Sequence, residues 1–382
     1  MIQSSDNALN QPDLNFRTKF FGINWAFVFI VCAIASIGFA LLFSASNGDL
    51  EPWARPQMVR FSVGLIGMLT IAMVDIRLWL RNAYLIYFIT LVLLLAVEFA
   101  GFVGMGAQRW IDLGYISFQP SEIMKIALVI ALARYFHATS IDDLGKLHLT
   151  FVPLLIIAIP SILILRQPDL GTTLMIGVAG VLILFLAGVR IWIFNLIGVC
   201  VLLAAPVGWQ FLHEYQKTRI LTFLKPETDP LGAGYHIIQS KIALGSGGFS
   251  GKGFMQGPQS HLHFLPEMQT DFIFTLLAEE FGFIGGIGLI ALYCLLLVIG
   301  VIISLRARSQ FARLLAGGVT ITFFLYVFIN IAMVMGLVPV VGVPLPLISY
   351  GGTAMMTLLF GFGLLLGVNV HRDVVIPRLG DT

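Results

Sequence analysis

The chain has 382 residues, 58% of them hydrophobic and only 11% charged, less than half the roughly 25% charged residues of soluble domains. That composition belongs to an integral membrane protein. A net charge of +2 without a basic run argues against a nucleic-acid partner, and Cys32, Cys200 and Cys294 sit in apolar runs with no metal or disulfide spacing.

The first 16 residues are polar and unlike a signal peptide. After them, about ten apolar runs reach the ~17 to 25 residues needed to span a bilayer: 25–43, 57–74, 84–103, 119–136, 151–165, 172–189, 192–211, 272–304, 314–338 and 353–369. The expected fold class is all-α, a polytopic membrane protein of about ten transmembrane helices. An even count puts both ends on one side, and the charge bias selects the side. Arg17, Lys19, Arg77, Arg81, Arg134, Lys146, Arg190, Arg306, Arg308, Arg313, Arg372 and Arg378 flank the termini or the even-numbered connections. The tails, 1–24 and 372–382, are therefore expected in the cytoplasm around a transmembrane domain over 25–371.

Between the third and fourth runs, GAQRWIDLG (106–114) carries Trp110 between Arg109 and Asp112, and reads equally as an interfacial belt or a pocket rim. The fourth run opens with Glu122 and Lys125, three apart and so on one helix face. They read as an ion pair clamping helices rather than as catalytic groups. A short turn, RQPDLGT, then holds Arg166 and Asp169, whose charges Pro168 and Gly171 do not explain.

The long connection 212–269 between spans seven and eight is the one sizeable polar segment, and its glycines and charges place it outside the hydrocarbon. Within it, 235–244 reads as a short amphipathic interfacial helix. The glycine run 245–253 lacks P-loop spacing and is either a hinge or an anion-binding turn.

The stretch HLHFLPEMQTDFIFTLLAEEFG (261–282) brings Asp271, Glu279 and Glu280 up to and into a membrane-length run. An acid at the centre of a membrane helix costs roughly 2.5 to 3.5 kcal/mol and needs a cavity or a partner. Pro266 suits a helix entry and Thr270 a cap, which puts Asp271 near a first turn, either as an interfacial capping acid or as a functional group. By depth, Glu279 either meets Lys125 or faces an aqueous cavity. Gly282, Gly285, Gly286 and Gly288 would permit close approach of a partner helix. Before span ten, GVPLPLISYGG (342–352) is uncharged and broken by prolines, and reads as a re-entrant, protein-buried or cavity-lining segment.

Taken together, GAQRWIDLG, FQPSE, RQPDLGT, GGFSGKG, HFLPEMQTDFIF with AEEFG, and PLPLISYGG, in this order across nearly the whole chain, resemble the SEDS family (shape, elongation, division and sporulation). Overall likeness and the short N-terminus are closer to its elongation branch than to its division branch. The resemblance implies a peptidoglycan glycosyltransferase of the bacterial inner membrane that polymerises lipid II on the outer face, with undecaprenyl pyrophosphate as leaving group. It implies Asp271 as the essential catalytic-site carboxylate, Trp110, Asp169, Arg219, Lys252 and Glu279 as substrate-binding or outer-cavity positions, and Glu122 and Lys125 as a structural pair. It further implies a divalent metal ion (Mg or Mn) at an unassigned site, no organic cofactor, and a class B penicillin-binding protein transpeptidase as partner. A lipid II flippase and a non-catalytic scaffold are the readings from other classes. Acids clustered at one end and no visible repeat argue against the first.

Overall fold

Backbone in hydrocarbon must satisfy its own hydrogen bonds, so apolar runs of this length fold as helices. The computed structural model describes residues 15–104, 107–112, 117–139, 147–211, 214–225, 233–258, 268–374 and 376. Its elements begin with helix α1 (Phe16–Gly22), then α2 (Trp25–Ala45), α3 (Ala54–Met73) and α4 (Ile76–Ala100). Three short strands follow, β1 (Phe102–Gly104), β2 (Ala107–Asp112) and β3 (Ser117–Phe118), and then α5 (Pro120–Ala138), α6 (Leu147–Arg166), α7 (Leu170–Ala187) and α8 (Ile191–Phe211). The polar connection carries α9 (Glu214–Leu224) and α10 (Ala233–Ser246), and the chain closes with α11 (Ile273–Arg306), α12 (Gln310–Val334) and α13 (Gly352–Val370).

Nine of these helices, α2 to α4, α6 to α8 and α11 to α13, are long and apolar enough to cross a membrane. The remaining expected span, the fourth, is α5; it carries Glu122, Lys125 and Arg134, yet between Met124 and Ala133 no residue is more than 3% exposed. A helix buried on every face needs neighbours all round, and α4, α6, α7, α12 and α13 supply them. The protein is thus a multi-pass membrane protein with α5, α12 and α13 at its centre and α8 at its margin, where only 6% of the most apolar window is covered by protein.

Three features depart from the sequence reading. The segment around Trp110 is a small antiparallel sheet of order β1-β2-β3, with Phe102 opposite Trp110 and Ile111 opposite Phe118, set into an otherwise helical fold. Helix α9 was not foreseen. Helix α11 is broken at Gly282, whose φ of 66° and ψ of −161° lie outside helical geometry, so its first turns form a separate short helix.

The proline-broken segment is protein-buried, as its lack of helix requires. Leu345, Leu347 and Ile348 are at most 2% exposed. Its carbonyls are met by side chains from three helices: Asn330 Nδ2 donates to Val343 O at 2.7 Å, Tyr293 Oη to Pro346 O at 2.7 Å and Gln57 Nε2 to Ser349 O at 2.9 Å. At Gly38 on α2 a Cβ would stand 2.7 Å from Ile348 Cα, so the helix backbone lies directly on this segment.

Candidate active site

Asp271 lies half-buried two residues before α11, whose N-cap is Phe272 and carries no side-chain cap bond, so Thr270 does not play the capping part expected of it. The Asp271 backbone is fixed from two sides. Asn330 Nδ2 donates to Asp271 O at 2.9 Å while also holding Val343 O. Next to it, Ser349 Oγ donates to Thr270 O at 2.5 Å and Tyr350 N to Gln269 O at 2.7 Å. Gly342, with φ of 71°, faces the carboxylate: a Cβ there would sit 3.6 Å from Asp271 Oδ2. A positive φ at this point is available to glycine at little cost.

Residues 340–343 form a seam along which several separate elements meet. Arg219 of α9 donates from Nη1 to Val340 O at 2.8 Å. Gly171, in the first turn of α7, lies so close to Val341 O that a Cβ would stand 2.6 Å away. Asp169 caps the same helix, Oδ1 accepting from Thr172 N at 3.1 Å and Oδ2 from Thr172 Oγ1 at 3.0 Å and Gln119 Nε2 at 3.3 Å. Arg109, beside Trp110 in β2, stands 3.8 Å from Asp169 and donates to Gln167 O and Pro168 O. The charges of the RQPDLGT turn thereby find their reasons, since Arg166 pairs with Glu98 at 3.8 Å. Asp271, Arg219 and Asp169 are brought to one end of the bundle. Trp110, half-buried, is linked to them through its neighbour.

Glu279 departs from both alternatives read for it. It is fully buried and pairs at 3.1 Å with Lys252, which also donates to Ser246 Oγ at 2.9 Å. Gly282 breaks α11 just beyond Glu279, and the glycine run packs against the break and brings Lys252 to the acid. There Lys252 N and Gly253 N donate to Glu279 O and Glu280 O, both at 3.0 Å, while Phe283 N and Ile284 N donate to Gly248 O and Phe249 O at 3.0 and 3.2 Å. The run is a collar on a broken helix, and those two amides are consumed in holding it. Glu280, 1% exposed, accepts from Ser44 Oγ and from Met255 N.

The Glu122–Lys125 pair is present at 2.6 Å, with Glu122 and Lys125 5% and 3% exposed. The sequence did not reveal its third member, Tyr326 of α12, which donates to Glu122 Oε2 and accepts from Lys125 Nζ. Arg60 of α3 was missed as well. Its guanidinium lies 5.0 Å over the Tyr350 ring, has no ion-pair or hydrogen-bond partner among the described residues, and packs on Gly352, where a Cβ would be 3.2 Å from Arg60 Cδ.

No group of three or more His, Cys, Asp or Glu side chains comes together among the described residues. His261, His263, Pro266 and Glu267 of the long stretch lie outside them. A hard divalent cation held by one carboxylate and substrate phosphates needs no such cage. The half-buried Asp271 carboxylate would supply the hard oxygen donor such an ion takes.

A family profile described as "Cell cycle protein", covering FtsW, RodA and SpoVE, matches residues 21–374. The chain belongs to the FtsW/RodA/SpoVE family. Among its relatives are the peptidoglycan glycosyltransferase MrdB of Escherichia coli K12, 46% identical over 350 residues that cover 91% of this chain and 93% of that one. The stage V sporulation protein E of Bacillus subtilis is 39% identical over 90% and 95%. Of solved structures, a chain from work on the structural coordination of polymerization and crosslinking by a peptidoglycan synthase complex matches with a TM-score of 0.79 and 33% identity, covering 92% and 98%. The rod shape determining protein RodA of Thermus thermophilus matches at 0.69 and 28%, covering 92% and 97%. The family is the one the six motifs resemble.

Proposed function

We propose that this family member is a peptidoglycan glycosyltransferase of the elongation type, which polymerises lipid II into glycan strands at the outer face of the bacterial inner membrane. The observation that carries the reading is the fixing of the segment 269–271, Asp271 by Asn330 and its two preceding residues by Ser349 and Tyr350, against the 340–343 seam, in a chain 46% identical to a peptidoglycan glycosyltransferase. Asp271 takes the proton from the acceptor sugar hydroxyl. The oxygen forms a bond to the anomeric carbon of a second lipid-linked sugar, the bond to pyrophosphate breaks, and its electron pair leaves on the pyrophosphate. A single inverting displacement needs one carboxylate as base, and no acid partner when the leaving group is already a stable anion.

The departing pyrophosphate needs positive charge beside it. Lys252 is occupied by buried Glu279, and among the described residues Arg219 at Val340 and Arg60 over Tyr350 are cations suited to it. A Mg2+ or Mn2+ ion held by Asp271 and substrate phosphates would add charge there when bound. The family resemblance supports a class B penicillin-binding protein as partner, and the charge bias supports cytoplasmic termini.

A flippase would need polar groups lining a route through the bundle. Glu122, Glu279 and Glu280 are instead each at most 5% exposed and bonded within the protein. The two readings separate on incubating the purified protein with lipid II, with and without the transpeptidase: glycan product supports the enzyme, and movement of lipid II between leaflets without product supports the flippase.

A further inference from the structure

At the end of the bundle opposite Asp271, where α1 meets the start of α4 and the ends of α11 and α13, lies a cavity of about 600 Å³. Its wall carries Arg77, Arg306, Arg308 and Arg372 against Asp75 and Asp373. Both carboxylates are engaged. Asp75 caps α4 by accepting from Arg77 N at 2.8 Å, and Asp373 lies 3.6 Å from Arg308 Nε and 3.5 Å from Arg372 Nε. The guanidinium groups of Arg77 and Arg306 have no carboxylate or hydrogen-bond partner among the described residues.

Arginines at cytoplasmic helix ends follow from membrane insertion alone, so basicity by itself identifies nothing. Two further observations point to a ligand. His371, 3% exposed, lines the same cavity, with Nδ1 2.9 Å from Gly367 O and a buried Nε2 that has no partner among the described residues. A carbonyl only accepts, so Nδ1 carries the proton. Burial holds the imidazole below its ordinary pKa, so Nε2 is a buried acceptor in need of a donor. Phe21, also in the wall, is 70% exposed, and Phe16 on the same short helix 72%, giving an apolar lip that suits acyl chains rather than a free anion.

We propose that this cavity binds the headgroup of an anionic phospholipid, its phosphate on Arg77 and Arg306, a headgroup hydroxyl donating to His371 Nε2, and its acyl chains along Phe21. The site is independent of the transferase chemistry and lies at the other end of the molecule from it.

Native mass spectrometry of the full-length protein, released from micelles holding equal amounts of phosphatidylglycerol and phosphatidylcholine with the same acyl chains, tests the proposal. The wild type retains phosphatidylglycerol about tenfold or more over phosphatidylcholine, and the Arg77→Gln/Arg306→Gln protein brings that ratio near one. Melting temperature in phosphatidylcholine micelles reports whether the variant folds. Should it not, Arg306→Gln alone, at an exposed position in the last turn of α11, still lowers the ratio. Equal ratios in wild type and a folded variant overturn the site. Displacement of the retained phosphatidylglycerol by millimolar orthophosphate overturns the lipid and leaves a free anion in its place.

Discussion

Lys125 and Lys252 each hold a buried acid, and the two acids differ in how far they can be relieved. Removing one member of a buried pair costs about 3 to 5 kcal/mol because the other charge is left without compensation. Lys125→Ala is therefore expected to lower both the melting temperature and glycan synthesis, Glu122 then keeping only the Tyr326 hydroxyl. An inactive Lys125→Ala protein of undiminished melting temperature would move the lysine from brace to substrate binding. For the second pair, Lys252→Ala should destabilise more than the Lys252→Ala/Glu279→Gln double variant, because the neutral amide no longer needs a cation. A double-mutant cycle on melting temperature measures it, and additive losses would contradict the pairing. The first pair was legible because its residues stand three apart on one helix. Tyr326, Asn330 and Gly342 were not, since only tertiary folding brings them to Glu122 and Asp271 from the far end of the chain.

At the scale of elements, hydropathy located the spans because each is a continuous apolar run, and α5 was among them despite its three charges. It was blind to the strands around Trp110, which are too short for any window, and to the break in α11, where an apolar glycine looks like continued helix. That break is a specific requirement. A Cβ at Gly282 would lie 2.3 Å from Gly251 N, and one at Gly251 would lie 2.1 Å from Glu280 O. Gly282 also holds a φ of 66°, a conformation that costs other residues about 1 to 3 kcal/mol. Gly282→Ala and Gly251→Ala are expected to lower the melting temperature, with the pair less than additive because both disrupt one contact. Unchanged melting temperature in either variant would mean that the collar is not rigid. Of the other glycines read as a partner-facing set, Gly286 is buried and Gly288 exposed, so any helix packed there meets Gly288 with Phe283, Ile284 and Ile287.

For the whole molecule, the two ends carry different chemistry, Asp271 with the seam at one and the arginine-lined cavity at the other. Charge bias predicts that the Asp271 end faces outward. A cysteine at exposed Ser250, in the collar, should react with a membrane-impermeant maleimide on cells whose outer membrane alone has been opened. Reaction only after the inner membrane is breached would reverse the orientation. Gly257 is unsuited to this test, since a Cβ there would meet Glu279 Cδ at 2.8 Å.

The central claim is that the Asp271 carboxylate does the chemistry, and the direct measurement is lipid II polymerisation by Asp271→Asn at matched folded protein with the transpeptidase present. Asn has nearly the same shape, and the bonds that fix this segment run to main-chain oxygens at Thr270 and Asp271, so folding and partner binding are expected to persist. General-base catalysis contributes ~10²- to 10⁴-fold, and a loss of at least that size is predicted, unrelieved by added Mg2+ or Mn2+. Recovery at high metal concentration would assign the loss to metal binding rather than to the base, and that outcome, like polymerisation near the wild-type rate, would contradict the account.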